Sequence, residues 1–226
     1  MLKITQKGFI ESMSLGKIPK GVDKNNKLSS TDWPEFRSIT GCLQWLSSQT
    51  RLDVASTVSL MNHGGDTTYG HLENLYKALE FLKSTSNLGV VIHPVPLNQS
   101  TVILAYSDAS WANAQGSASQ HGQLVMLASP NVTETICNGA VVDWKSGRSK
   151  RVCRSTQAAE AVSADSATDR LAYVSYVLGE LIFGIPAHKV GHRLKTILAT
   201  DCKSLCDCVV AQNPNIEDKR SLVNVR

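Results

Sequence analysis

The sequence predicts an α/β protein, a mixed β-sheet with flanking helices preceded by a small helical segment. Up to about residue 95, apolar side chains recur at helical spacing, as in Phe36, Ile39, Leu43 and Leu46. From Thr101 the pattern changes to short β-branched runs separated by Gly, Ser, Pro and Asn. A long helix-period segment then separates a third strand from a fourth, the order of a crossover connection in a mixed sheet.

The totals set bounds on what such a chain does. Its 226 residues are 42% apolar and 19% charged, an ordinary globular balance that excludes a disordered tail. A net charge of +4 permits a polyanionic partner without demanding one. No apolar run approaches the roughly 18 to 20 residues of a membrane span, and MLKITQKGFIES lacks the apolar stretch of a signal peptide, so the expected setting is intracellular and away from membranes. Six cysteines follow no secreted spacing. Cys202, Cys206 and Cys208 lack a second ligand cluster, so reduced thiols are expected in place of bridges or a zinc site.

Taken in order, residues 1–31 alternate Gly, Lys, Pro and Asn with scattered apolar positions and read as an extended, loosely held lead-in. Thr31 or Asp32 caps a helix reaching about Gln49, with Pro34 in its first turn. A short helix near 53–62 ends at Gly64-Gly65, and a third carries Leu72, Leu75, Tyr76, Leu79 and Leu82 on one face. These make a helical unit over 32–95, closed by a brief strand at 89–93 and a linker at 94–100. The second unit, 100–226, opens with TVILAYSDASW, a strand expected to give out at Asp108. Strands follow at 122–128 and 140–145, with turns at Gly116-Ser117, Ser129-Pro130-Asn131 and Ser146-Gly147. A helix over Thr156–Phe183 is capped by Ser155, stopped by Gly184 and Pro186, and buried through Ala159, Val162, Leu171, Val174, Leu178 and Leu181. A fourth strand at 194–200 delivers Asp201, and a short helix ends near Ala211.

Three acids occupy privileged places in that layout: Asp108 ending the first strand of the second unit, Glu160 in the first turns of the long helix, Asp201 ending the fourth strand. If they converge, like charges in one pocket raise one another's pKa unless cations neutralise them. Mg2+ prefers such oxygen ligands and accepts substrate phosphate oxygens, and two ions about 4 Å apart promote phosphodiester hydrolysis. Three unrelated solvated carboxylates are the alternative. Lys145, Arg148, Lys150, Arg151 and Arg154 put five cations just before the helix, a candidate phosphate-contacting tract or simply a solvated hairpin. His121, His188 and His192 read as surface histidines in turns or loops, and Trp144 as core.

YSDASW (106–111), VVDWKSGRSKRVCRSTQAAEAVSA (141–164) and ILATDCKSL (197–205) resemble, in order, three motifs of the ribonuclease H domain of copia-type retrotransposon Pol polyproteins. FRSITGCLQWLSSQTRLDVA (36–55) and TTYGHLENLYKALEFLKSTSNLGVVI (67–92) resemble the segment joining reverse transcriptase to that domain. The resemblance implies a ribonuclease H-like sheet of the five-stranded type, with Asp108, Glu160 and Asp201 as metal-binding catalytic residues and two Mg2+ ions, Mn2+ being the alternative. It implies an RNA–DNA hybrid as substrate, the rest of the polyprotein as partner, and a cytoplasmic virus-like particle as setting. The family's fourth carboxylate aligns with Asn224, an amide that brings no negative charge. No Asp-Asp pair occurs, so the polymerase motif is missing. A weakened, passive nucleic-acid binder and a DNA-directed nuclease of the same fold remain the rival readings.

Overall fold

The computed structural model describes residues 1–61, 66–191 and 193–211. The chain divides into two compact units, Lys3–Val90 and the residues from Val91 onward together with Met1–Leu2.

The helical unit contains α1 (Lys7–Ser12), α2 (Trp33–Gln49), a 3-10 turn at Leu52–Val54, α3 (Ala55–Leu60) and α4 (Tyr69–Ser84). Phe36, Ile39, Leu43 and Leu46 of α2 meet Leu72, Leu75 and Leu82 of α4, as their spacing requires. Residues before α2 are not a loose lead-in. Ile10 is fully buried in this core, Met13, Ile18, Val22 and Leu28 pack against it, and backbone bonds from Leu28 N to Thr67 O and from Gly70 N to Lys24 O tie the segment down. Scattered apolar residues without a period gave no sign of this, because each anchors singly.

The strands are β1 (Leu2–Ile4), β2 (Val90–Ile92), β3 (Val102–Ala114), β4 (Ala118–Ala128), β5 (Gly139–Arg148) and β6 (Lys195–Ala199), in spatial order β1-β2-β5-β4-β3-β6. The sheet is mixed and six-stranded, one more than the five-stranded type expected, since β1 and β2 extend it beyond β5. β3, β4 and β5 form an antiparallel meander, and β6 runs parallel to β3. The β3–β4 turn places Gly116 at φ 68° and Ser117 at φ 55°, the left-handed region that glycine enters without cost. Ser146 and Gly147 do not form a turn: they lie within β5, paired with Gly122 and His121.

Helix α5 (Thr156–Phe183) crosses the sheet, followed by α6 (Ala187–Val190) and, after β6, by α7 (Lys203–Val210). Ile103, Ala105, Val125, Leu127 and Ala140 on the strands pack beneath Leu171 and Leu178. A Cβ on Gly179 would stand 2.3 Å from Val190 Cγ1, so only glycine lets α6 approach α5 this closely. Leu181, expected inside, is 78% exposed. Among the described residues no helix is long and apolar enough to cross a membrane, and the six cysteines are free.

Candidate metal centre

The site begins with a register. β3 and β6 are parallel with Tyr106 opposite Ala199, so Asp108 and Asp201 stand two residues beyond the same rung. β6 ends at that rung while β3 continues to Ala114, so Asp108 lies within a strand and not at its end. The edge of β3 beside it is nevertheless open, because its neighbour has stopped. The Ala109 N–H on β3 instead donates to Glu160 Oε1 at 3.2 Å.

Glu160 reaches that edge from α5. Ser155 caps the helix by accepting from Ala158 N at 3.1 Å. Glu160 lies past the first turn, where the helix terminus does little to favour its charge. It is 9% exposed. Burial pushes its carboxyl above the ordinary glutamate range; the Ala109 bond opposes this, and Asp108 and Asp201 add to it. One ligand atom from each of Asp108, Glu160 and Asp201 lies within 4.8 Å of the others, with Glu160 buried and both aspartates exposed. Glu160 Oε2 is buried without a hydrogen-bond partner among the described residues. A hard oxygen donor set with one orphaned carboxylate oxygen fits a divalent cation. Asn224 lies outside the described residues, as does His192.

The five cations do not form one face. Lys145 pairs with Gln123 and Arg148 with Gln120 on β5, positions of opposite parity whose side chains leave the sheet on opposite sides. Arg151 approaches Asp165 at 3.8 Å; Lys150 and Arg154 are exposed between β5 and α5. His121 is on β4, not in a turn, and burial lowers its pKa, with Lys145 lowering it further. Trp144 is only half-buried. His188 lies in α6.

Ser163 and the Ala109 amide escaped the sequence reading. Ser163, fully buried, donates to the Asp108 carbonyl at 2.9 Å, with the Gly122 carbonyl at 3.4 Å. A serine one turn after Glu160, on a face otherwise made of alanines, is the signal that could have found it.

The fold and site define an α/β domain bearing a carboxylate triad. No family model and no solved structure matches it. The chain is similar to the Retrovirus-related Pol polyprotein from transposon RE1 of Arabidopsis thaliana, 29% identical over 153 residues, which is 67% of this chain and 10% of that protein. Its counterpart from transposon RE2 is 29% identical over 152 residues, again 10% of its length. Secreted RxLR effector protein 161 of Plasmopara viticola is 25% identical over 142 residues, 62% of this chain and 91% of that protein. The chain spans about a tenth of the Pol polyproteins, and the similarity supports a fragment of a retrotransposon Pol polyprotein.

Proposed function

We propose that this chain is the ribonuclease H part of a copia-type Pol polyprotein, with residues 32–95 as a connection-like segment, and that it hydrolyses the RNA strand of RNA–DNA hybrids using Mg2+ or Mn2+. The convergence of Asp108, Glu160 and Asp201 from three separate elements carries this reading. These three would hold the ions, Glu160 from beneath and the aspartates from the open side. Bound divalent ions supply the positive charge that activates a water and stabilises the leaving oxygen of a phosphodiester. The exposed aspartates leave the site open to a backbone phosphate, while the bond from Ala109 N–H orients Glu160 before any ligand arrives. Hybrid recognition would rest on backbone shape, phosphates and 2′-hydroxyls. Lys145, Arg148, Lys150, Arg151 and Arg154 are the candidates, of which one bound hybrid would engage a subset, since Lys145 and Arg148 leave β5 on opposite sides.

The test is purified protein with Mg2+ or Mn2+ on labelled RNA–DNA hybrid, double-stranded RNA and duplex DNA. Asp201→Asn is expected to lower hybrid cleavage roughly 10²- to 10³-fold, the scale of losing one preorganised electrostatic contact. Cleavage that survives the substitution would remove Asp201 from the site. No cleavage with either metal would favour passive binding, and cleavage of duplex DNA alone would favour a DNA-directed nuclease.

A further inference from the structure

Two residues of α5, one turn apart, grip the same peptide group of β3. Ser163 Oγ donates to the Asp108 carbonyl at 2.9 Å, and the adjoining Ala109 N–H donates to Glu160 Oε1 at 3.2 Å. In a trans peptide the carbonyl and N–H point to opposite sides, so the helix holds β3 from both: Ser163 on the β4 side, where the Gly122 carbonyl also lies at 3.4 Å, and Glu160 on the open side. The peptide held in this way carries the Asp108 side chain. Ser163 is 0% exposed, so water does not substitute for its hydroxyl.

We propose that Ser163 is a positioning residue of the metal centre, fixing the Asp108–Ala109 peptide so that Asp108 and Glu160 present their oxygens to a cation with little rearrangement. This rests on the metal reading above. Without the hydroxyl, the peptide keeps its pairing with Gly122 of β4 but loses its tie to α5 on that side, and its remaining tie to the helix is the Glu160 oxygen bonded to Ala109. Ordering Asp108 must then be paid for when the ion binds, which lowers affinity for the ion while leaving contacts to the rest of a hybrid unchanged.

The experiment compares Ser163→Ala, Ser163→Thr and Ser175→Ala by Mn2+ titration calorimetry, with thermal denaturation and hybrid kinetics alongside. Ser175 is a buried hydroxyl on the same helix, about 18 Å further along it. Ser163→Ala is expected to weaken Mn2+ binding about fivefold, the scale of one hydrogen bond, and to lower kcat with the KM for hybrid unchanged. Ser163→Thr, which keeps the hydroxyl, should restore Mn2+ affinity, and Ser175→Ala should leave it unchanged. Wild-type Mn2+ affinity in Ser163→Ala overturns this role alone. Wild-type protein that takes up no Mn2+ overturns the metal reading and this role with it.

Discussion

In the helical unit the Arg51 guanidinium is 1% exposed and places four hydrogen bonds, two on the Asp53 carboxylate and two on the Thr85 carbonyl and hydroxyl, with the Phe81 ring 5.6 Å from its centre. In the sheet unit the Glu160 carboxylate is nearly as buried, yet among the described residues Oε2 has no partner and two further carboxylates crowd it. Ser107 Oγ, Gln120 Oε1, Gln123 Oε1 and both His121 nitrogens in the same unit are likewise buried without a partner among the described residues. A buried charge with partners on most of its donors joins elements together: here the turn after α2 and the end of α4. A buried charge left short, at an open strand edge, costs stability until a ligand completes it.

The largest effect tests the satisfied side of this contrast. Arg51→Ala removes a fully buried side chain together with its bonds to Thr85 and to the partly exposed Asp53, and is expected to cost about 2 to 4 kcal/mol, the scale of a large-to-small change that also leaves acceptors unpaired. Chemical denaturation followed through amide exchange of α2 and α4 measures it, and a loss below about 1 kcal/mol would break the comparison.

Glu160→Gln tests the other side, and the sign is opposite. The carboxyl's pKa is higher in the fold than in the unfolded chain, so the folded state binds the proton more tightly. Ion-free stability is therefore greatest below the ordinary glutamate range and falls as pH rises through the raised folded value. At about pH 8 Glu160→Gln should stabilise the ion-free protein by about 1 to 3 kcal/mol, the cost of an unsatisfied buried acceptor. It should also flatten the pH slope. Wild type should regain about 1.4 kcal/mol from Mn2+ at ten times its Kd, and the variant much less. Thermal denaturation from about pH 4 to about pH 8, with chelator or Mn2+, reads all three; a less stable variant at the upper end would refute the orphaned-charge account.

The smallest effect belongs to the surface. Arg148→Ala should weaken hybrid binding a few-fold and reduce the log–log salt slope by about 1, as for one lost phosphate contact. Binding measured across a salt series checks it, and an unchanged slope would leave Arg148 as ordinary solvated surface.

How much of this was legible varies by element. The bounds of α5 were readable because their causes are local: Ser155 caps the start, a 3.6-residue period continues, and Gly184 at φ 63° ends it. The reach of β3 was not, because pairing with β4 through the Gly116 turn carries the strand past Asp108 to Ala114. Ser146 and Gly147 have turn composition, yet two partners across β4 hold them in a strand. Leu181 follows the helical period of the buried side chains but stays exposed, since burial depends on what lies opposite and not on spacing alone. His121 has no strand signal in the sequence because β4 begins earlier than its apolar run.

Sequence alone determined the residue types: three acids beside strand and helix signals, in motifs resembling one polyprotein family, with an amide at Asn224. The tertiary structure decided whether three of those residues meet. It did so through the parallel register of β3 and β6, which sets Asp108 level with Asp201, and through the early end of β6, which opens an edge for Glu160. Both are long-range pairings, fixed by packing across the sheet and under α5, and no local pattern encodes them. Only that assembly leaves Glu160 Oε2 unpartnered among the described residues and puts Ser163 against the Asp108 carbonyl.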